Sequence, residues 1–234
     1  MSLKNFLTTK SGAIWAAIVL TVIVLLESLY PPWAPYFIVY AALAIAIPLW
    51  IKTPRFGSIK KLKEYWKAIL IFFLVLLIWE VAASDWLYEA ILKHLGLGQN
   101  PFWSITLAVD QIANAAAIKF GISKNSALLL YGGFFLLWAP IGEELFYRGY
   151  LQEILRRDEK GCGSFFIPAF FFGIRHATHF FFLWPSVSLG AALVWSISAF
   201  VSGLILSTLY EGTRSLWPAI LLHFLVNLVA FSIP

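Results

Sequence analysis

Charged residues and cysteine are scarce in this chain, and each shortage excludes a class of protein. Asp, Glu, Lys and Arg make up 12% of the 234 residues, whereas they make up about 25% of a typical soluble domain. The single cysteine, Cys162, excludes a disulfide within the chain. Internal repeats and low-complexity tracts are also missing from the sequence. The composition therefore excludes an ordinary soluble domain and a disulfide-stapled scaffold.

Long apolar runs take up most of the sequence instead. Hydrophobic residues make up 61% of the chain and aromatic residues 18%, with 11 tryptophans, which is typical of helices anchored at membrane interfaces. Runs of roughly twenty apolar residues are long enough to cross a bilayer as helices. Seven such runs lie at residues 11–30, 35–51, 68–83, 126–152, 164–182, 189–209 and 216–233. We predict an all-α, polytopic membrane helix bundle that forms one integral membrane domain over residues 1–234.

The segment 84–125 is more polar than these runs. Asp110 and Gln111 interrupt residues 102–120, whose apolar positions recur at helical spacing. This pattern predicts an amphipathic, interfacial or re-entrant helix rather than a span.

The basic residues predict how the bundle is oriented. Basic connections at 52–63, 156–160 and 211–214 join alternate pairs of runs, whereas the connections 30–34 and 183–188 contain no Lys or Arg. All three basic connections fall on one side, which the positive-inside rule assigns to the cytoplasm together with the N-terminus. This explains the net charge of +5 without a nucleic-acid partner. The first run ends without a small-residue cleavage pattern, so we expect it to be a retained span.

Two adjacent carboxylates, Glu143 and Glu144, follow an uncharged apolar stretch. Ionisable side chains inside a membrane segment are energetically unfavourable and are therefore functional candidates. Consecutive residues point about 100° apart on a helix, so the two carboxylates face different neighbours. Glu144 and Arg148 have the i,i+4 spacing of an ion pair, which leaves Glu143 for chemistry. The alternative is that both carboxylates are structural.

Polar residues in later runs fall where they could meet Glu143. If a turn centred on residues 159–160 joins two antiparallel helices, Glu143 and His176 lie at equal depth, roughly 20–25 Å from that turn. His179 lies one turn further along and is a supporting candidate. His223 and Asn227 are spaced i,i+4 and share a helix face. The alternatives are a core histidine bonded to a carbonyl and a polar clasp between helices.

These side chains suffice for adding water to an amide. Glu143 would act as general base, His176 would share the water, and His223 with Asn227 would stabilise the oxyanion. No Gly-x-Ser-x-Gly nucleophile motif is present. A zinc ion held by Glu143, His176 and His223 is a weak alternative, because His-Glu-x-x-His is absent. We therefore expect no cofactor, with zinc as a minor alternative.

Three motifs resemble the signature of the CPBP family, which comprises the type II CAAX prenyl endopeptidases and the bacteriocin-processing or Abi proteins. They are Glu-Glu-x-x-x-Arg from Glu143, Phe-x-x-x-His ending at His176, and His-x-x-x-Asn from His223. The resemblance covers residues 126–234 and leaves 1–125 as N-terminal helices without motifs. It implies an intramembrane glutamate protease with an eight-helix fold, in which residues 102–120 or 86–97 would form an additional span.

In that family the first motif glutamate and the second-motif histidine are taken to activate water. Glu143 and His176 hold these positions here. The third-motif pair, here His223 and Asn227, is taken to form the oxyanion hole, and Glu144 and Arg148 would support the site. Current understanding of the family is of a metal-free mechanism.

Arg175 departs from the family pattern, because a smaller or apolar residue is more usual before the histidine. It is a supporting candidate that could contact an anionic group of a substrate.

Two other functional classes remain open at this point. A non-enzymatic membrane scaffold or bacteriocin-immunity protein would use the same polar residues for binding, and a transporter would use a Glu–His proton relay. The repeat symmetry of many transporters is absent. The leading prediction is an endopeptidase embedded among membrane lipids and reached from the cytoplasmic side. Its substrate would be a peptide or lipidated protein, with CAAX-type proteins prenylated near the C-terminus as one class.

Overall fold

Helices form all the regular secondary structure in the part of the chain that the computed structural model describes. That part comprises residues 1–29, 34–80, 121–158, 162–183 and 189–232, with a few isolated positions between 86 and 120. The predicted interfacial helix at 102–120 and the alternative span at 86–97 lie outside the described residues, apart from those isolated positions. An all-helical fold is therefore confirmed for the described ranges.

Each of the seven predicted apolar runs carries a helix. The helices are α1 (Leu3–Leu7), α2 (Lys10–Leu29), α3 (Ala34–Ile51), α4 (Lys60–Glu64), α5 (Trp66–Ile78), α6 (Lys124–Gly133), α7 (Ala139–Phe146), α8 (Glu153–Asp158), α9 (Gly163–Leu183), α10 (Leu189–Thr213) and α11 (Leu216–Ser232). By length and composition, two helical stretches are able to cross a membrane, namely Lys124–Arg157 and Ala192–Thr213. The other apolar helices among the described residues are shorter.

Two π-helical turns join α6, α7 and α8 into one long helix. The first is Phe134–Trp138 and the second is Tyr147–Gln152. In the first, the backbone N–H of Ala139 donates to the carbonyl of Phe134, five residues earlier. The next donor in this register would come from residue 140, which is proline and has no N–H. The carbonyl of Phe135 is therefore left for a side chain to bind.

Helices α9 and α10 approach each other closely at two glycines. A Cβ on Gly203 would lie 3.0 Å from Cα of Ala169, and one on Gly173 would lie 2.8 Å from the carbonyl oxygen of Ser196. The Ser196 hydroxyl donates to the carbonyl of Gly173 at 2.9 Å. Such close packing through small residues is typical of contacts between membrane helices.

The N-terminal helices pack directly against the motif-bearing helices. One buried cluster joins small residues of α2, among them Ala13 and Ala17, to Phe146 of α7 and Phe172 of α9. The hydroxyl of Tyr150 also donates to the carbonyl of Leu7 at 2.9 Å. The motif-free helices therefore help to position the helices that carry the motifs.

The three basic connections converge on one buried carboxylate. Glu153, which has no exposed side-chain surface, pairs with Arg55 at 3.3 Å, Arg156 at 2.8 Å and Arg214 at 3.2 Å. Each arginine comes from, or borders, a different basic connection. The expectation that these connections lie on the same side of the bundle is confirmed.

Candidate active site

Glu144 holds two partners through a single oxygen. Its Oε1 accepts hydrogen bonds from Nη1 of Arg148 and from Nδ1 of His223, each at 2.8 Å. Glu144 and Arg148 are both fully buried. The ion pair expected from their i,i+4 spacing is confirmed, and the same carboxylate also fixes the ring of His223, a contact the spacing did not predict.

Arg148 links this pair to the neighbouring helices. Its Nη2 donates to the carbonyl of Gly203 at 2.9 Å, and its guanidinium lies 4.9 Å from the ring centre of Phe172. The close α9–α10 contact at Gly203 brings that carbonyl within reach. Arg148 therefore stabilises the arrangement of α7, α9 and α10 around Glu144.

Glu143 faces a different cation. Its Oε1 lies 2.5 Å from Nη1 of Arg175, and both side chains are buried. No described residue donates a hydrogen bond to Oε2 of Glu143. The two adjacent glutamates thus have separate arginine partners, as their directions on the helix require.

His176 and Glu143 approach the same guanidinium nitrogen. Nδ1–H of His176 donates to the carbonyl of Phe172 at 2.7 Å, so in the neutral ring the lone pair is on Nε2. That nitrogen lies 3.5 Å from Nη1 of Arg175. The turn residues used to match the depths, 159–160, lie outside the described residues. The helices nevertheless bring Glu143 and His176 to one place, with Arg175 between them.

Phe172 lies between the two histidines. Its ring centre is 4.5 Å from that of His176 and 5.8 Å from that of His223. It also packs edge-on against Tyr147 at 5.3 Å. A rigid aromatic ring in this position restricts both imidazoles to defined orientations.

Asn227 binds the carbonyl that the π-helical turn leaves without a backbone donor. Its Nδ2 donates to the carbonyl of Phe135 at 2.8 Å. This fixes the amide, and the second N–H on Nδ2 stays available for a ligand. His223 similarly uses Nδ1 on Glu144 and keeps Nε2. His223 and Asn227 thus each retain one ring or amide group for contact with a substrate.

Tyrosines that the sequence analysis did not select surround Arg175. Its guanidinium carbon lies 5.1 Å from the ring centre of Tyr40, a fully buried residue of α3. Tyr131 and Tyr147 are further electrostatic neighbours of Arg175. In a chain with 18% aromatic residues, a single tyrosine in a motif-free helix gives no signal that could have singled it out.

The remaining candidates concern His179 and metal binding. The side chain of His179 lies outside the described residues. Within the described ranges, no three His, Cys, Asp or Glu side chains are grouped so as to hold a metal ion. Of the set considered for zinc, Glu143 is paired with Arg175 and His223 with Glu144.

Apolar helices that enclose two buried carboxylates, two buried arginines and a buried histidine are typical of an integral membrane protein with a polar site in its interior. Residues 125–229, somewhat under half of the chain, match the family model described as type II CAAX prenyl endopeptidase Rce1-like. The match includes all three motifs and confirms the resemblance. No curated protein and no solved structure matches the chain. The matched family is a protease family, whose substrates are peptides or proteins in a membrane.

Proposed function

We propose that this protein is an intramembrane endopeptidase in which Glu143 and His176 activate a water molecule. The observation that carries the proposal is the buried carboxylate of Glu143, which holds Arg175 with one oxygen and leaves the other unpartnered among the described residues. A general base must have a free acceptor oxygen within reach of the water it deprotonates.

The proposed reaction assigns one task to each group. Oε2 of Glu143 takes a proton as the water oxygen attacks the peptide carbonyl carbon, and Nε2 of His176 accepts a hydrogen bond from the same water. The negative charge on the carbonyl oxygen is stabilised by Nε2–H of His223 and the second N–H of Asn227. As the C–N bond breaks, the proton on Glu143 passes to the leaving nitrogen.

Glu144 orients the ring of His223 in this mechanism. Nδ1–H of His223 donates to the Glu144 carboxylate at 2.8 Å, and donation from Nε2–H to the oxyanion requires a ring that carries protons on both nitrogens. Removal of one such donor typically lowers turnover about 10²–10³-fold. We propose that Glu144, Arg148 and Arg175 act by positioning and by charge.

The proposed mechanism uses no cofactor. Zinc held by Glu143, His176 and His223 remains the alternative, and it would require Glu143 to leave Arg175 and the ring of His223 to orient its free nitrogen toward the metal. Activity that survives a strong chelator would support the metal-free reaction, whereas loss on chelation and recovery with zinc would support the alternative.

We propose that the membrane arrangement follows the charge pattern, with seven to eight spans and the arginine cluster around Glu153 on the cytoplasmic side. The substrate would then enter from that side, as a peptide or lipidated protein cut near its C-terminus. Prenylated CAAX-type proteins are the class implied by the family.

The test compares the purified protein with its Glu143→Gln variant on prenylated and unprenylated peptides in lipid nanodiscs, with products identified by mass spectrometry. Glutamine keeps the shape but accepts a proton poorly, so cleavage should fall at least 10²-fold. Glu211→Gln is the matched control, because Glu211 pairs with Arg214 on the basic side, away from the polar site. Unchanged cleavage by a folded Glu143→Gln protein would overturn the assignment.

The second candidate is a non-enzymatic scaffold or immunity protein that binds a peptide at the same polar site. It is favoured by the ion pair that already neutralises Glu143. Under this alternative no cleavage product forms, and Glu143→Gln preserves the biological phenotype because it preserves the shape of the site.

A further inference from the structure

Arg175, like Arg148, keeps one buried donor without a partner in the described part of the site. Its Nη1 is used by Glu143 and approaches His176, but its buried Nε makes no hydrogen bond to any described residue. The face of the guanidinium is covered by the ring of Tyr40. The edge formed by Nε and Nη2 is therefore the part of Arg175 that remains for another group.

That edge has the geometry of a carboxylate receptor. Nε–H and Nη2–H of an arginine point the same way and form two parallel hydrogen bonds to one carboxylate. A buried donor without a partner is energetically unfavourable, so a ligand that satisfies Nε gains affinity. Glu143 occupies the other side of the same planar group, and a carboxylate at Nε and Nη2 would not displace it.

We propose that Arg175 binds the free C-terminal carboxylate of the peptide substrate and thereby selects bonds close to the C-terminus. This inference rests on the proposed function and specifies its substrate. His176, the neighbouring residue, is half-buried rather than buried, so this part of the site is the side that a peptide can reach. Arg175 is thus a specificity-determining residue, placed where the family pattern has a smaller or apolar one.

The experiment measures two matched peptides that differ only at the C-terminus, one with a free carboxylate and one with a carboxamide. Binding of each fluorescent peptide is measured by anisotropy, and cleavage by mass spectrometry, on the full-length protein in nanodiscs of zwitterionic lipid. The wild type should prefer the acid about tenfold or more, the range of a charge-assisted hydrogen bond. Arg175→Lys keeps the positive charge but loses the pair of parallel N–H donors, and Arg175→Gln loses both the charge and the pair of donors.

The decisive quantity is the ratio of the two binding affinities, that of the peptide acid divided by that of the peptide amide. Replacing Arg175 also breaks its ion pair with Glu143. A loss of binding from that cause affects both peptides equally and therefore cancels in the ratio. The ratio should fall toward one in Arg175→Gln, fall partly in Arg175→Lys, and stay at the wild-type value in Arg156→Lys, the matched control on the basic side. A thermal melt of each variant verifies folding.

Each outcome decides the inference independently of the proposed function. Equal binding of acid and amide by the wild type overturns the inference even if both are cleaved, and so does an Arg175→Gln protein that keeps the preference. Acid-selective binding that depends on Arg175, with no cleavage of either peptide, supports the carboxylate receptor and overturns the endopeptidase.

Discussion

Replacing Glu144 with glutamine is expected to destabilise the protein through the buried charge left on Arg148. Both side chains of this pair are fully buried, and removing one partner of a buried ion pair costs about 3–5 kcal/mol. Arg148 would retain its bond to the Gly203 carbonyl and its contact with the Phe172 ring. We therefore expect the free energy of unfolding to fall by about 3 kcal/mol, the lower end of that range.

A double-mutant cycle isolates the pair. Arg148→Met should lower the free energy of unfolding by a similar amount, because it leaves His223 as the remaining hydrogen-bond donor to the Glu144 carboxylate among the described residues. The double variant Glu144→Gln/Arg148→Met removes both charges, so it should cost at least about 2 kcal/mol less than the sum of the single variants. Reversible unfolding in mixed micelles, followed by circular dichroism, measures each value. Additivity of the single effects within about 0.5 kcal/mol would refute the assignment of an energetically coupled buried pair.

Two further predictions concern packing and the π-helical turn. Gly203→Ala should lower the free energy of unfolding by about 1–3 kcal/mol, because its Cβ would meet the facing helix at 3.0 Å. Gly212→Ala is the control and should have no such effect, because a Cβ there would have nothing within 4 Å. Equal effects in the two variants would contradict this account. Asn227→Ala should cost about 1–3 kcal/mol by orphaning the carbonyl of Phe135. That cost should be smaller in a Pro140→Ala background, because alanine supplies the backbone N–H that proline lacks. Both effects are measured by the same unfolding assay. An unchanged cost would argue against the hydrogen bond from Asn227 as the replacement for that backbone donor.

The helices and one buried contact could be predicted from local sequence patterns. Apolar runs of spanning length gave the positions of the seven long helices, because hydrophobicity and length act within one segment. The Glu144–Arg148 pair followed from i,i+4 spacing, which is a property of a single helix. The side shared by the basic connections followed from alternation along the chain, and the convergence of three arginines on Glu153 confirms it.

Contacts between helices could not be read in this way. The partner of Glu143 is Arg175, the residue beside the expected histidine, because rotation of α9 about its axis decides which of two neighbouring side chains faces α7. Tyr40 lies 135 positions before Arg175 in the chain, and its place beside Arg175 depends on how α3 packs. The bond from Asn227 to Phe135 depends on a π-helical turn that the composition does not indicate.

The sequence by itself determined that this protein is an apolar helical bundle, where its long helices lie, and which polar residues are placed among them. These properties depend on the length, hydrophobicity and spacing of residues within single segments. Only the tertiary structure decided the pairings: Glu143 with Arg175, Glu144 with both Arg148 and His223, and Asn227 with Phe135. Pairings between helices depend on helix rotation and on close approach at glycines, and these are set by packing of the whole bundle.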